Sequence, residues 1–217
     1  KLTSMLSVTF YRPMDYFSGF FNKFVTWMTD GEFCHCDLVV HTTPAEVMEV
    51  VKNIYQTAQR DGYAPEDCER IIHQIESNFF DTDFRKVAQT SDKLTLAFAA
   101  LWGNPMTVRV LTDVSHDSWF QVPNDTTSIS EIIHRDIGGE QSIETLKFSI
   151  EQLGKQYDTS GALCSWLPWS SEDTKQQYEK YFCSEFVVTA FHRLGFMENL
   201  VPLHTTPNAL YKFMKKN

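Results

Sequence analysis

The sequence predicts one α+β domain over residues 1–217, a small antiparallel sheet packed on a single helix near the C-terminus. Three stretches carry that prediction. Leu6–Phe10 and Phe33–Val40 read as strands in the N-terminal part of the chain. After Cys183, residues Phe186, Val187, Ala190, Phe191 and Leu194 recur at helical spacing, and Gly195 supplies a stop. Between them, residues 52–103 have a helical texture and read as an insertion within the domain. A chain of 217 residues with 42% hydrophobic and 14% aromatic residues can bury a core of that size.

In order, Leu6–Phe10 is the first strand. Pro13 then opens a helix with Met14, Phe17, Phe21, Phe24, Val25 and Met28 on one strongly aromatic face. Phe33–Val40 is the second strand. Cys34, Cys36, Leu38 and Val40 point one way, and Phe33, His35, Asp37 and Val39 point the other. Thr42-Thr43-Pro44 turns the chain, and Val47–Val51 returns as an antiparallel partner. Within the insertion, Pro65 starts one helix with a Cys68, Ile71, Ile72, Ile75, Phe79 stripe, and Leu94–Trp102 forms a second, ended by Gly103. Met106–Leu111 and Ser118–Val122 are further strands. Asp136–Gly139 is a loop, Ser142–Leu153 a helix stopped by Gly154, and Thr206-Pro207 opens a last short helix carrying Leu210 and Phe213.

Charge excludes some functions. The 28 acidic and 19 basic residues give a net charge of −9 with no basic block, so a nucleic-acid partner is not expected. Five scattered cysteines do not make a disulfide framework and point to a reducing, intracellular (cytoplasmic) setting. No signal peptide is expected, and no apolar run reaches the ~18 residues of a membrane span.

The chemistry concentrates on Cys183. A cysteine at a helix N-terminus faces N–H groups without intrahelical acceptors and the positive end of the dipole, which favours the reactive thiolate. A catalytic cysteine needs a base, and the base needs an orienting group. His35 is the candidate base. Glu49 is the first candidate orienter, because an even separation across the hairpin places it on the face of His35 as a cross-strand neighbour. Asp37 is the second, two residues along the same strand. The alternative is a solvent-facing sheet surface, on which none of these residues needs explaining. Cys34-His35-Cys36 has half of a zinc pattern, but no second ligand pair follows, so no metal and no cofactor are expected. The remaining histidines have no partner at telling spacing, and Ser184 reads as an ordinary polar residue of a first helical turn.

The ordered set resembles the circularly permuted NlpC/P60 proteins, in which the nucleophile helix follows the histidine strand. The matching stretches are Phe33-Cys34-His35-Cys36-Asp37-Leu38-Val39, Val47-Met48-Glu49, Gly154-Lys155-Gln156-Tyr157-Asp158, Tyr181-Phe182-Cys183-Ser184-Glu185-Phe186-Val187 and Thr206-Pro207-Asn208-Ala209-Leu210. The 52–103 insertion lies outside the resemblance. Cys34 stands where the family usually has a small or polar residue, and an acidic residue two after the histidine, like Asp37, is found in some viral and phage relatives.

The resemblance implies a permuted papain-like fold and a cysteine peptidase or amidase. Cys183 is then the nucleophile, His35 the base, Glu49 the polar third member, and Tyr157 an aid to the oxyanion or pocket. It also implies peptide, amide or acyl substrates. A lipid-directed thiol acyltransferase or deacylase is the alternative within the enzymes. An inactive structural, virion-associated module is the alternative outside them.

Overall fold

Ten residues of alternating polar and apolar character make the first strand, β1 (Ser4–Pro13), longer than its central Leu6–Phe10 motif. The computed structural model describes residues 4–13, 26–27, 31–66, 69–70, 73, 92–101, 104–111, 127–165 and 180–216. Pro13 is the last residue of β1. Met14, Phe17, Phe21, Phe24, Val25 and Met28 of the expected aromatic face lie outside the described residues, as do Ser118–Val122 and the stripe from Cys68 to Phe79.

β2 (His35–Thr42), β3 (Leu94–Ala99), β4 (Thr107–Leu111) and β5 (Thr127–Ile137) complete an antiparallel sheet in the order β4-β3-β2-β1-β5. The protein is α+β, and β2 is the middle strand. Its register sets Tyr11 opposite His35 and Thr9 opposite Asp37. β5 was not foreseen from the sequence. It takes in Asp136 and Ile137, which the sequence placed in a loop.

Two sequence expectations are corrected here. Val47–Val51 is not a strand but part of helix α1 (Pro44–Arg60). Thr43 caps it, with its Oγ1 accepting from the Glu46 N–H at 3.2 Å and the Glu46 carboxylate accepting from the Thr43 N–H at 2.9 Å. Pro44 fits the first turn, where no N–H is needed. Val47, Val50 and Ile54 then fall on the buried side at i, i+3, i+7. Conversely, the apolar run from Leu94 is not the insertion's second helix but β3, buried at all six positions and paired on both sides.

One sheet face is apolar: Leu6, Val8 and Phe10 from β1, Cys36, Leu38 and Val40 from β2, and Leu96 and Phe98 from β3 belong to one buried cluster. Helix α1, helix α2 (Gly139–Glu151) and helix α4 (Cys183–Arg193) cover it with Val47, Val50, Leu146, Ile150, Phe186 and Val187. Each such side chain contributes about 1.5–3 kcal/mol through burial. The opposite face is buried too. Ser7, Thr9, Tyr11, Asp37 and Val39 have no exposed surface, so the solvent-facing alternative does not hold.

Between α2 and α4 lie β6 (Gln156–Tyr157), helix α3 (Thr159–Cys164) and β7 (Lys180–Tyr181), with β6 parallel to β7. A 3₁₀ turn (Pro202–His204) and helix α5 (Pro207–Lys216) end the described chain. No helix among the described residues is long and apolar enough to cross a membrane.

Candidate active site

Cys183 is the first residue of α4. Phe182 before it is extended (φ −100°, ψ 168°), and the β6–β7 pair sets that conformation up. The Asp158 N–H donates to the Tyr181 carbonyl at 3.0 Å, which locks Tyr157 beside the chain that leads into the helix. The Phe182 N–H donates to Glu185 Oε2 at 3.3 Å. The Cys183 and Ser184 N–H groups belong to the first turn, where a helix has no internal acceptor to offer. On the inner side, α4 packs against β2 through Phe186 and Val187.

His35 is the first residue of β2. Its side chain is 12% exposed, whereas Asp37 is wholly enclosed. His35 Nε2 lies 2.7 Å from Asp37 Oδ1. Cys183 lies close enough to the ring for its charge and a hydrogen bond to act on His35. The other carboxylate oxygen, Asp37 Oδ2, accepts from the Tyr11 hydroxyl at 2.7 Å and from Arg109 Nη2 at 2.5 Å. The Tyr11 ring lies against the imidazole, with centroids 5.3 Å apart.

Glu49 is not part of this group. It is exposed on α1, on the side turned away from Val47 and Val50. The expected His35–Glu49 hairpin contact fails because the hairpin does not exist. Of the two orienting candidates the structure brings Asp37, and not Glu49, to His35. The two-residue step along one strand is bridged because both side chains lean toward each other on the same face.

The electrostatics follow from these contacts. Burial alone raises the Asp37 carboxyl, but the charges of His35 and Arg109 with the Tyr11 hydrogen bond hold it below the usual carboxylate range. Burial alone lowers His35. The charges of Asp37 and Cys183, and the hydrogen bonds to both, override this and raise it to about 10. The Cys183 thiol is held well below its ordinary value, first by a hydrogen bond from Cys36, then against burial by the charge and hydrogen bond of His35. Burial pushes Cys34 up to about 12 and Cys36 well up, with the Cys183 thiolate adding to both. Among the described buried cysteines, burial pushes Cys34 and Cys36 up, and Cys183 alone is pulled down.

Tyr157 also feels this centre: burial first, then the charges of Cys183 and Cys36, raise its phenol well above the ordinary value. It therefore sits near the thiolate in its protonated, hydrogen-bond-donating form. Glu185, only 1% exposed, is raised to about 8 by burial, partly offset by the Phe182 N–H.

No protein-family model, curated protein or solved structure matches this chain. What can be said of the site therefore rests on its geometry. Among the described residues no group of His, Cys, Asp and Glu is arranged to hold a metal ion. The arrangement present is a thiol pulled toward its ionised form near an imidazole raised toward its protonated form, the imidazole fixed by a buried carboxylate, with helix N–H groups alongside. That set can form and resolve a covalent thioester.

Sequence reading missed Arg109, Tyr11 and Cys36 as members of this group. Tyr11 stands beside His35 only through the β1–β2 register, and Arg109 reaches Asp37 from β4 across an intervening strand. Cys36 was assigned to the opposite face from His35, and so it is. It reaches Cys183 because α4 lies under that face. His41 and His134 also gain a partner the sequence did not offer. Ser7 Oγ lies 3.2 Å from His41 Nε2 and 2.7 Å from His134 Nδ1.

Proposed function

We propose that this protein is a cysteine hydrolase of the papain-like, circularly permuted NlpC/P60 kind, acting on peptide or amide bonds. The catalytic residues are Cys183, His35 and Asp37. The observation that carries the reading is an imidazole held at 2.7 Å by a buried carboxylate, whose charge and hydrogen bond pull down the thiol of Cys183 at a helix start.

The steps follow from that arrangement. The Cys183 thiolate attacks the substrate carbonyl carbon and a C–S bond forms. Negative charge moves to the carbonyl oxygen, where the Cys183 N–H and the Tyr157 hydroxyl are the donors at hand. His35, protonated, gives its proton to the amine as the C–N bond breaks. Water then attacks the thioester while His35 takes its proton, and the carboxylic acid leaves with Cys183 again a thiolate. Asp37 stays ionised throughout and holds the imidazole in one orientation.

The test is a panel of peptide, ester and thioester substrates, with Cys183→Ala as control and a thiol-directed probe alongside. Hydrolysis that depends on Cys183, together with a covalent adduct at that residue, supports the reading. Labelling of the folded chain no faster than of the denatured chain sinks it.

A further inference from the structure

The nucleophile and its base come from opposite ends of the chain, and one short segment touches the flank of each. Ser184, next to Cys183, donates from Oγ to the Thr205 carbonyl at 2.6 Å. Three residues on, Asn208 grips Phe33, two residues before His35. Its Oδ1 accepts from the Phe33 N–H at 2.9 Å, and its Nδ2 donates to the Phe33 carbonyl at 2.9 Å. Ser184, Thr205, Asn208 and Phe33 are all buried to within 3% of full enclosure.

The chemistry of the grip is specific. The β1–β2 ladder ends at the Tyr11–His35 pair, so Phe33 lies beyond the last partner of its strand. A carboxamide carries one acceptor and a donor pair in the same plane, and here it supplies what a neighbouring backbone would. Aspartate has no donor, alanine neither group. Gly31 makes the approach possible: a Cβ there would stand 2.1 Å from Asn208 Cγ.

The segment is rigid in its own right. Thr206 Oγ1 caps α5 by accepting from the Ala209 N–H at 3.2 Å, and Thr205 Oγ1 donates to the Val201 carbonyl at 2.7 Å. One turn into α5, the Tyr211 ring lies 4.5 Å from that of Phe33.

We infer that residues 205–208 are a bracket that fixes His35 against Cys183, with Asn208 and Ser184 as positioning residues that never touch substrate. This rests on the proposed thiol chemistry and adds to it a cause for the alignment of two distant elements. Neither residue's role is merely to stabilise the fold. Losing either lets the imidazole drift from the thiol, so the thiolate loses its counter-ion while the sheet persists.

The experiment is the pH profile of Cys183 alkylation by iodoacetamide, read by mass spectrometry, which needs no substrate. Asn208→Ala, Gly31→Ala and Ser184→Ala are compared with wild type and with Val50→Ala, a core change on α1 remote from the bracket. The bracket variants are expected to move the acid limb of the profile upward by about one unit, a loss of about tenfold in rate on that limb. Val50→Ala is expected to lower the melting temperature with the profile in place. Should Asn208→Ala not fold, Ser184→Ala, which deletes a single hydroxyl, decides the matter. A folded Asn208→Ala or Ser184→Ala with the wild-type profile overturns the bracket. A wild-type profile like that of a free thiol overturns the hydrolase reading instead, so the two failures are distinct.

Discussion

Asp37 and His35 are two residues apart on one strand, and a 2.7 Å contact joins Asp37 Oδ1 to His35 Nε2. The carboxylate divides its duties: Oδ1 serves the imidazole, and Oδ2 takes Tyr11 and Arg109. A wholly buried carboxylate is costly unless its oxygens are satisfied by charges and hydrogen bonds. Here both are, and the same partners that make the burial tolerable also fix the direction of the acid. The imidazole inherits that direction, within reach of the charge of Cys183.

Replacing Asp37 therefore removes more than one contact. Asp37→Asn keeps the shape but loses the charge that raises His35 and balances Arg109. Hydrolysis is expected to fall by about a hundredfold or more, and stability by about 3 kcal/mol, read by steady-state kinetics and urea unfolding. Glu49→Ala, on the surface of α1, is expected to change stability by less than about 0.5 kcal/mol and to leave hydrolysis intact. The reverse ranking, with Glu49→Ala the more damaging, refutes the assignment of Asp37.

How far this site could be read from the sequence depended on how local each signal was. Cys183 at the start of an apolar helix, and His35 and Asp37 in strand alternation, are patterns within a few residues, and the folded elements follow them. Glu49 misled because Val47, Val50 and Val51 are β-branched, and a five-residue window cannot separate a strand from a buried helix turn. The deciding evidence lay upstream, in Thr43, Pro44 and Glu46, which together start a helix. Leu94–Ala99 misled in the opposite sense. A strand buried on both faces loses its alternation and reads as a plain apolar run. Arg109 and Asn208 carry no local signal at all, since their partners are set by sheet order and by a contact between the two ends of the chain.

A hydrogen bond from Cys36 is the largest cause that pulls the Cys183 thiol down, so the Cys36 thiol hydrogen is expected to matter. Cys36→Ala deletes the donor, and Cys36→Ser keeps one. Alkylation of Cys183 on the acid side of its titration is expected to slow by about tenfold in the alanine variant and to change far less in the serine variant. Equal behaviour of the two variants shows that the donor is irrelevant.

The ion pair also predicts the shape of stability against pH. In the folded chain His35 is raised to about 10 from 6.5, and Cys183 is lowered well below 9.0. Between about 6.5 and 9, folding binds one proton at His35 and releases one at Cys183, so the pair contributes no slope. Above that window the unfolded thiol is ionised as well, and the His35 contribution is lost as pH rises through about 10. Below it the unfolded histidine is charged, and the Cys183 contribution is lost as pH falls through the folded thiol's value. Cys183→Ser removes the compensation. Asp37 still raises the remaining histidine, though less than when the thiol charge is present, so stability relative to wild type should decline as pH rises from about 6.5, where that histidine binds a proton on folding without a matching release. Unfolding curves across the range for both proteins check this, and parallel profiles reject a histidine raised by Asp37 and balanced by Cys183.

Glu185 makes the opposite kind of prediction, because its burial disfavours charge. Its carboxyl is raised from 4.5 to about 8. The folded state therefore holds a proton that the unfolded state has lost, and stability falls as pH rises between those two values. Glu185→Gln keeps an oxygen to accept from the Phe182 N–H and removes the charge. The variant should match wild type near pH 4 and exceed it above about pH 8 by about 5 kcal/mol, read from chemical unfolding at each pH. With the acceptor retained, the start of α4 stays in place and Cys183 alkylation keeps its wild-type rate. A variant less stable than wild type at every pH refutes the raised carboxyl and leaves Glu185 an ordinary charged cap.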